Sequence, residues 1–272
     1  VYKRQEVTRA FLPPTALKMM RQAEVPDDTR LVSISSGGEP LSEDLISWAK
    51  FALGAEVNEL YGQTECNLSV GSARSFGVAQ RGWIGKPFPG FDLRLLDASG
   101  QTVPLGQVGQ ICVHRDTPSM FLQYWNQTEK TEERFVGDYL LTGDLGIMDE
   151  QGYLQFVSRD DDVINSSGYR IGPTEIEATL AKDPRVILAA VVAVPNQTRG
   201  HVIGAYITTV GELGIEFEKD LIETVAKKLS PHMAPKWVRI LPEMPMTATG
   251  KIRRAALREM AAQVPGPIQT IG

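Results

Sequence analysis

Between positions 11 and 23 the apolar residues fall at helical spacing, with Leu17, Met20 and Ala23 on one side after Pro13 and Pro14. Residues 31–35 (Leu-Val-Ser-Ile-Ser) predict a strand that leads into Ser36-Gly37-Gly38-Glu39-Pro40. A helix follows, with Ser42 as its N-cap, Gly54 as its stop, and Leu45, Ile46, Ala49 and Phe51 to Leu53 as its apolar set. Val57–Tyr61 predicts another strand, ending in Gly62-Gln63-Thr64-Glu65. This alternation is α/β in style, and ligands bind at the strand ends of open α/β sheets.

From about 80 to 157 the pattern changes to short strands and turns. The strands are Asp92–Asp97, Gly109–His114, Tyr139–Thr142 and Tyr153–Val157, with turns at Ala98-Ser99-Gly100 and Asp149–Gly152 and one helix over 128–135. Ser158–Asp162 breaks the pattern. Beyond it, Pro173 suits the first turn of a helix running to Lys182. Strands at 186–194 and 202–210, an amphipathic helix at 217–229, a strand at 237–241 and a helix at 253–262 complete the chain. The expected organisation is an α/β part (1–79), a β-rich subdomain (80–160) and a small α+β domain (161–272).

The composition adds limits. Of 272 residues, 42% are hydrophobic and 22% charged, the mixture of a globular domain. No apolar run approaches the roughly 20 residues that span a bilayer. A net charge of −5 argues against a sequence-independent nucleic-acid binder. Cys66 and Cys112 cannot form a disulfide framework, which favours a reducing cytoplasm. The scattered His114, His201 and His232 show no metal-ligand spacing. The opening, Val1 to Val7, lacks the features of a signal peptide and reads as an internal cut in a longer protein.

Four clusters could carry chemistry. Gly37-Gly38 at a strand end lets a flat ring approach the backbone. Thr64 and Glu65 offer a hydroxyl and a carboxylate to a phosphate and its Mg²⁺. Asp144, in Leu141-Thr142-Gly143-Asp144, can accept two hydrogen bonds from ribose hydroxyls, and Arg159 supplies planar charged donors. In Pro245-Met246-Thr247-Ala248-Thr249-Gly250-Lys251 a single Lys sits on a Gly/Thr loop. This last is no P-loop, because Pro245 stands where the first glycine is needed and Ile252 replaces Ser/Thr. Taken singly, each cluster suits an ordinary turn or a solvated side chain better.

Their joint order and spacing, together with Ser166–Glu177 (Ser-Ser-Gly-Tyr-Arg-Ile-Gly-Pro-Thr-Glu-Ile-Glu), resemble the adenylate-forming superfamily, and most closely its short- and medium-chain acyl-CoA synthetases. The resemblance runs from Phe11 to Arg258. It implies the end of a large AMP-binding domain followed by a small mobile α+β domain. By that resemblance Gly38, Glu39 and Pro40 line the adenine and Tyr61 stacks on its other face. Thr64 contacts the α-phosphate and Glu65 holds Mg²⁺. Asp144 binds the ribose with Arg159 beside it, and Asp161 is the hinge. Arg170 helps hold the phosphates. Lys251 bridges carboxylate and α-phosphate during adenylation, and Ser167, Gly168 and Tyr169 line the passage for the coenzyme A thiol. The implied cofactors and substrates are ATP/AMP, coenzyme A, Mg²⁺ and a small carboxylic acid.

Gly62 stands where acetate-restricted members have Trp, so the resemblance implies longer acids. Two departures stand out: Ser158 replaces the usual Gly before the Arg, and the family's Ser/Thr/Gly-rich phosphate loop is not among these residues. The chain by itself is therefore expected to be impaired in adenylation. Two alternatives remain open: an adenylation enzyme that loads a carrier protein, and a non-catalytic nucleotide-binding module.

Overall fold

The computed structural model describes residues 6–23, 31–166, 168–196, 200–211, 213–247 and 251–262. The chain divides into two compact units, Val1–Asp160 and Asp161–Gly272. The fold is mixed α/β.

In the first unit, strands β1 (Arg9–Phe11), β2 (Ser33–Gly37) and β3 (Glu56–Gln63) run parallel. Helices α1 (Pro14–Arg21) and α2 (Glu43–Leu53) make the crossovers. Helix α2 begins where Ser42 Oγ accepts the Leu45 N–H, and it ends at Gly54, whose φ of 67° is left-handed. Its buried Leu45, Ile46, Ala49 and Leu53 pack with Leu31, Ile34 and Val57 of the sheet. Each large side chain buried there contributes roughly 1.5–3 kcal/mol.

After β3 the sheet changes direction. Strands β4 (Asn67–Gly71) and β5 (Lys86–Pro87) add antiparallel, giving the order β1-β2-β3-β4-β5. A second, antiparallel sheet contains β6 (Leu93–Leu96), β7 (Val108–His114), β8 (Phe135–Val136), β9 (Tyr139–Met148) and β10 (Leu154–Arg159), with the short helix α3 (Thr128–Glu132) before β8. Its order is β10-β9-β7-β6, with β8 on β9. Backbone hydrogen bonds Ile84 N–H to Leu154 O and Leu154 N–H to Gly85 O tie the two sheets together. Tyr61, Val70, Ile84, Leu95, Ile111 and Leu154 fill the space between them.

Strand β9 is longer than its sequence suggests. The expected strand Tyr139–Thr142 continues through Gly143 and Asp144 to Met148, so Asp144 lies inside a strand and not at its end. Gly146 belongs to the ladder because a Cβ there would stand 3.0 Å from both Gln155 O and the Ile111 side chain.

The second unit opens with a hairpin, β11 (Ile164–Ser166) and β12 (Tyr169–Ile171), followed by α4 (Pro173–Leu180). Strands β13 (Val186–Asn196) and β14 (Gly200–Thr209) pair antiparallel, and after α5 (Ile215–Lys228) strand β15 (Trp237–Ile240) joins β14 in parallel. Helix α6 (Arg254–Ala262) comes last among the described elements. Both faces of this sheet are covered, which explains the unbroken apolar run 186–194. Val186, Ala189 and Val191 pack in one core with Ile176 and Leu180 of α4 and Phe217, Leu221 and Val225 of α5. Leu188, Ala190 and Val192 pack in another with Met244 and with Leu257 and Ala261 of α6.

Candidate functional site

Strands β2 and β3 are parallel and adjacent, with Gly37 opposite Leu60. Their C-terminal ends therefore put Gly38–Pro40 beside Tyr61–Glu65. Gly37 is required by the pairing: a Cβ would stand 2.4 Å from Leu60 O. Gly38 has φ 89°, a left-handed conformation that favours glycine. The Thr15 hydroxyl donates to Glu39 Oε2 at 2.7 Å and fixes the carboxylate after that turn. The direction of the sheet reverses between β3 and β4, and Thr64 and Glu65 occupy this reversal.

Tyr61 is buried, and its hydroxyl donates to Asp144 Oδ2 at 2.8 Å. Burial, then the charge of Asp144, holds this phenol well above its ordinary pKa, so it remains a donor. Arg159 stands opposite Asp144 in the β9–β10 ladder, and its Nη1 lies 3.5 Å from Asp144 Oδ1. Asp144 itself is buried while Arg159 is exposed. The result is a fixed acceptor pair inside a strand, with a guanidinium at its open side. It can receive a vicinal diol and present charge to phosphate oxygens.

Glu65 is oriented by Tyr124, whose hydroxyl donates to Glu65 Oε1 at 2.6 Å. Burial and this hydrogen bond raise the Tyr124 pKa and keep the phenol protonated. The Phe121 N–H donates to Glu65 O, and the Ser119 hydroxyl donates to Cys66 O, so the segment 119–124 clasps the turn. Tyr124 belongs to no motif in the sequence; the aromatic run Phe121, Tyr124 and Trp125 is its one local signal. Among the described residues there is no group of three or more His, Cys, Asp or Glu able to hold a metal ion. One oriented carboxylate fits Mg²⁺, which keeps few protein ligands and takes the remainder from phosphate and water.

Gly62 has a backbone explanation. The β3–β4 register shifts between Tyr61 and Gly62, and a Cβ at Gly62 would lie 2.0 Å from Asn67 O. The close approach of β4 is sufficient reason for glycine, which removes the support that Gly62 lent to longer acids.

In the second unit, Gly168 has φ 84°, and a Cβ there would meet nothing within 4 Å. Its turn conformation explains the glycine; Ser167 lies outside the described residues. Tyr169 is exposed and stacks on His232 with ring centroids 4.3 Å apart. Arg170 stands opposite Asn165 in the hairpin, on its exposed side. Lys251 is exposed and joins Thr247 through two hydrogen bonds: the Lys251 N–H donates to Thr247 Oγ1, and the Thr247 N–H donates to Lys251 O. Residues 248–250 of that motif lie outside the described residues. Asp161 begins the second unit, within a single 3₁₀ turn, Asp160–Asp162.

The AMP-binding enzyme family model matches residues 1–125, and the model of the AMP-binding enzyme C-terminal domain matches residues 175–251. An uncharacterized acyl-CoA ligase (YtcI) of Bacillus subtilis is 38% identical over 256 residues, which are 92% of this chain and 48% of the relative. The mitochondrial acyl-coenzyme A synthetase ACSM3 of Rattus norvegicus is 37% identical over 254 residues, 90% of this chain and 44% of the relative. Among solved structures, the anthranilate CoA ligase AuaEII in complex with anthranoyl-AMP superposes with a TM-score of 0.88 at 29% identity, covering 96% of this chain and 51% of that one. The benzoate CoA ligase of Burkholderia xenovorans LB400 gives 0.83 at 28% identity, covering 92% and 51%. The chain spans about half the length of the relatives it matches.

Proposed function

Because the chain belongs to the AMP-binding enzymes, we propose that its protein joins a carboxylic acid to coenzyme A at the expense of ATP. The observation that carries this reading is the Tyr61–Asp144–Arg159 arrangement, which joins the end of β3 to the interior of β9 and the end of β10. It offers an aromatic ring, a diol acceptor and a phosphate donor in one place, as a bound adenylate requires.

In the first half-reaction a carboxylate oxygen attacks the α-phosphorus of ATP, and pyrophosphate leaves as acyl-AMP forms. The residues supply position and charge. The rings and backbone at Gly38–Pro40 and Tyr61 hold adenine, Asp144 holds the ribose, and Thr64, Arg159 and Arg170 receive phosphate oxygens. Lys251 is the cation assigned to the charge that develops on carboxylate and α-phosphate. Glu65, held by Tyr124, is the carboxylate for Mg²⁺, which when bound neutralises phosphate charge. In the second half-reaction the thiol of coenzyme A attacks the acyl carbonyl and AMP leaves. Ser167, Gly168 and Tyr169 border the thiol in this step, and Asp161 is the pivot between the two half-reactions. Residues 1–160 would then be the end of the large AMP-binding domain and 161–272 the small C-terminal one.

We assign the acid to the short- to medium-chain class on the sequence resemblance to short- and medium-chain acyl-CoA synthetases, and not on Gly62. Among the described residues no helix is long and apolar enough to cross a membrane. The free, buried thiols of Cys66 and Cys112 suit a reducing compartment, taken here as the cytoplasm. ATP-dependent AMP release with free coenzyme A, compared with a pantetheinylated carrier protein, tests the proposal. Preference for the carrier would favour a carrier-loading enzyme. AMP binding without turnover in a protein completed by an N-terminal half would favour a nucleotide-binding module.

A further inference from the structure

Lys251 lies three residues before helix α6, and the first residue of that helix is held by a cluster of charges. Arg254 Nη2 donates to both Glu177 oxygens, at 2.6 and 2.7 Å. Its Nε lies 3.6 Å from Asp162 Oδ2. One helical turn later, Arg258 Nη1 donates to Asp162 Oδ1 at 2.8 Å. The Asp162 side chain is only 9% exposed and that of Glu177 only 13%. Glu177 Oε1 also accepts the Val191 N–H of β13 at 2.8 Å. Two acids and two arginines thus balance in charge and tie α4, β13 and α6 to the residue next to Asp161.

The limb that joins Lys251 to this cluster is short and pinned. Met246 bridges Ile252, and the Arg253 N–H donates to Pro245 O at 2.8 Å. Lys251 and Thr247 close the pinch with their two hydrogen bonds. A shift of Arg254 therefore moves the backbone of Lys251. An exposed lysine on a long stem has many rotamers, so a fixed backbone origin is what limits where its ammonium can stand.

We propose that Arg254 and, more weakly, Arg258 are positioning residues for Lys251: they fix the origin of its side chain relative to Asp162, beside the assigned pivot. The proposal rests on the acyl-adenylate reading for its effect on turnover, though not for its effect on the backbone. Arg254 is expected to be irreplaceable by Lys, because a single ammonium cannot span both Glu177 oxygens and reach Asp162. Arg258 makes one such bond, and Lys can keep it.

Two readouts test this. In the chain joined to the N-terminal half of the Bacillus subtilis relative, ATP–pyrophosphate exchange reports adenylation, and preformed acyl-adenylate plus coenzyme A reports the thioester step. Arg254→Lys should slow exchange at least about tenfold while leaving the thioester step within about twofold, and Arg258→Lys should stay within about threefold of the unsubstituted protein in both. Hydrogen exchange on the chain itself is independent of turnover. The Lys251 amide should exchange at least about tenfold faster in Arg254→Lys, while the amides in the core of β13 and β14 accelerate less. Equal losses in both half-reactions with a lowered Tm would make Arg254 a structural brace and overturn the proposal, as would unchanged exchange at Lys251. An unsubstituted protein silent in pyrophosphate exchange would count against the acyl-adenylate reading, and hydrogen exchange at Lys251 would still decide the positioning role.

Discussion

The hydroxyl of Tyr61 donates to Oδ2 of Asp144 across 2.8 Å, joining the end of β3 to the interior of β9. Two strands from two different sheets thereby share one buried hydrogen bond. The residue assigned to stack on adenine also orients the residue assigned to hold the ribose. Ring and carboxylate are set at one fixed separation before any nucleotide arrives, which lowers the ordering cost of binding.

Removing that hydroxyl should be felt through the ribose. Tyr61→Phe keeps the ring and leaves Asp144 Oδ2 without its phenol donor, at a cost of about 1–3 kcal/mol in stability. AMP affinity, measured calorimetrically in the protein completed by an N-terminal half, should fall about fivefold or more, roughly 1 kcal/mol. An AMP analogue lacking both ribose hydroxyls should bind the two proteins alike. Equal losses for AMP and the analogue would place the role of the hydroxyl in the ring stack.

Gly62 should tolerate no side chain. Gly62→Ala places a Cβ 2.0 Å from Asn67 O, so the bulge between β3 and β4 must open. We expect a loss of about 1–3 kcal/mol, measured as a lowered urea midpoint. An unchanged midpoint would remove the backbone explanation and return Gly62 to the acyl pocket.

Glu59 should make the first unit sensitive to pH. Burial pushes its carboxyl up from 4.5 to about 7; the Leu41 N–H and Arg74 oppose the rise and Glu43 adds to it. The folded state then binds the proton more tightly than the unfolded chain. Its stabilising effect is complete below about 4.5 and is lost as pH rises through about 7. The loss is on the order of 3 kcal/mol. Urea midpoints at pH 5 and pH 8 should separate for the unsubstituted chain and draw together in Glu59→Gln, which should be the more stable of the two at pH 8. Parallel pH curves would show that Glu59 ionises freely in the fold.

Much of the fold was legible because local signals and burial agree. Ser42 and Gly54 bound α2 as their capping chemistry predicts, and Leu45, Ile46, Ala49 and Leu53 are the face it buries, whereas Phe51, expected in the apolar set, is 94% exposed because it points away from the sheet-facing side. Strand β9 was cut short in the sequence because Gly143 and Gly146 imitate a turn. Gly146 is instead a close-packing position in the ladder, visible only once Ile111 and Gln155 are beside it. The hairpin of β11 and β12 leaves no pattern in the sequence because its strands are three residues each, too short to show alternation. Among the site residues, the motif order assigns Tyr61, Asp144 and Arg159 to one nucleotide, and the structure brings those three together. Tyr124 on Glu65, and Arg254 on Glu177 and Asp162, link positions 59 to 92 residues apart and carry no local period.

The most direct measurement is ATP- and coenzyme A-dependent AMP release over acids of two to ten carbons, with aromatic acids included. It is made on the chain alone and on the chain joined to the N-terminal half of a family relative. The acyl-adenylate mechanism predicts release in the joined protein that requires acid, ATP and coenzyme A together, and little or none from these residues alone. A joined protein that is folded and binds AMP, yet releases none with any acid, would contradict it.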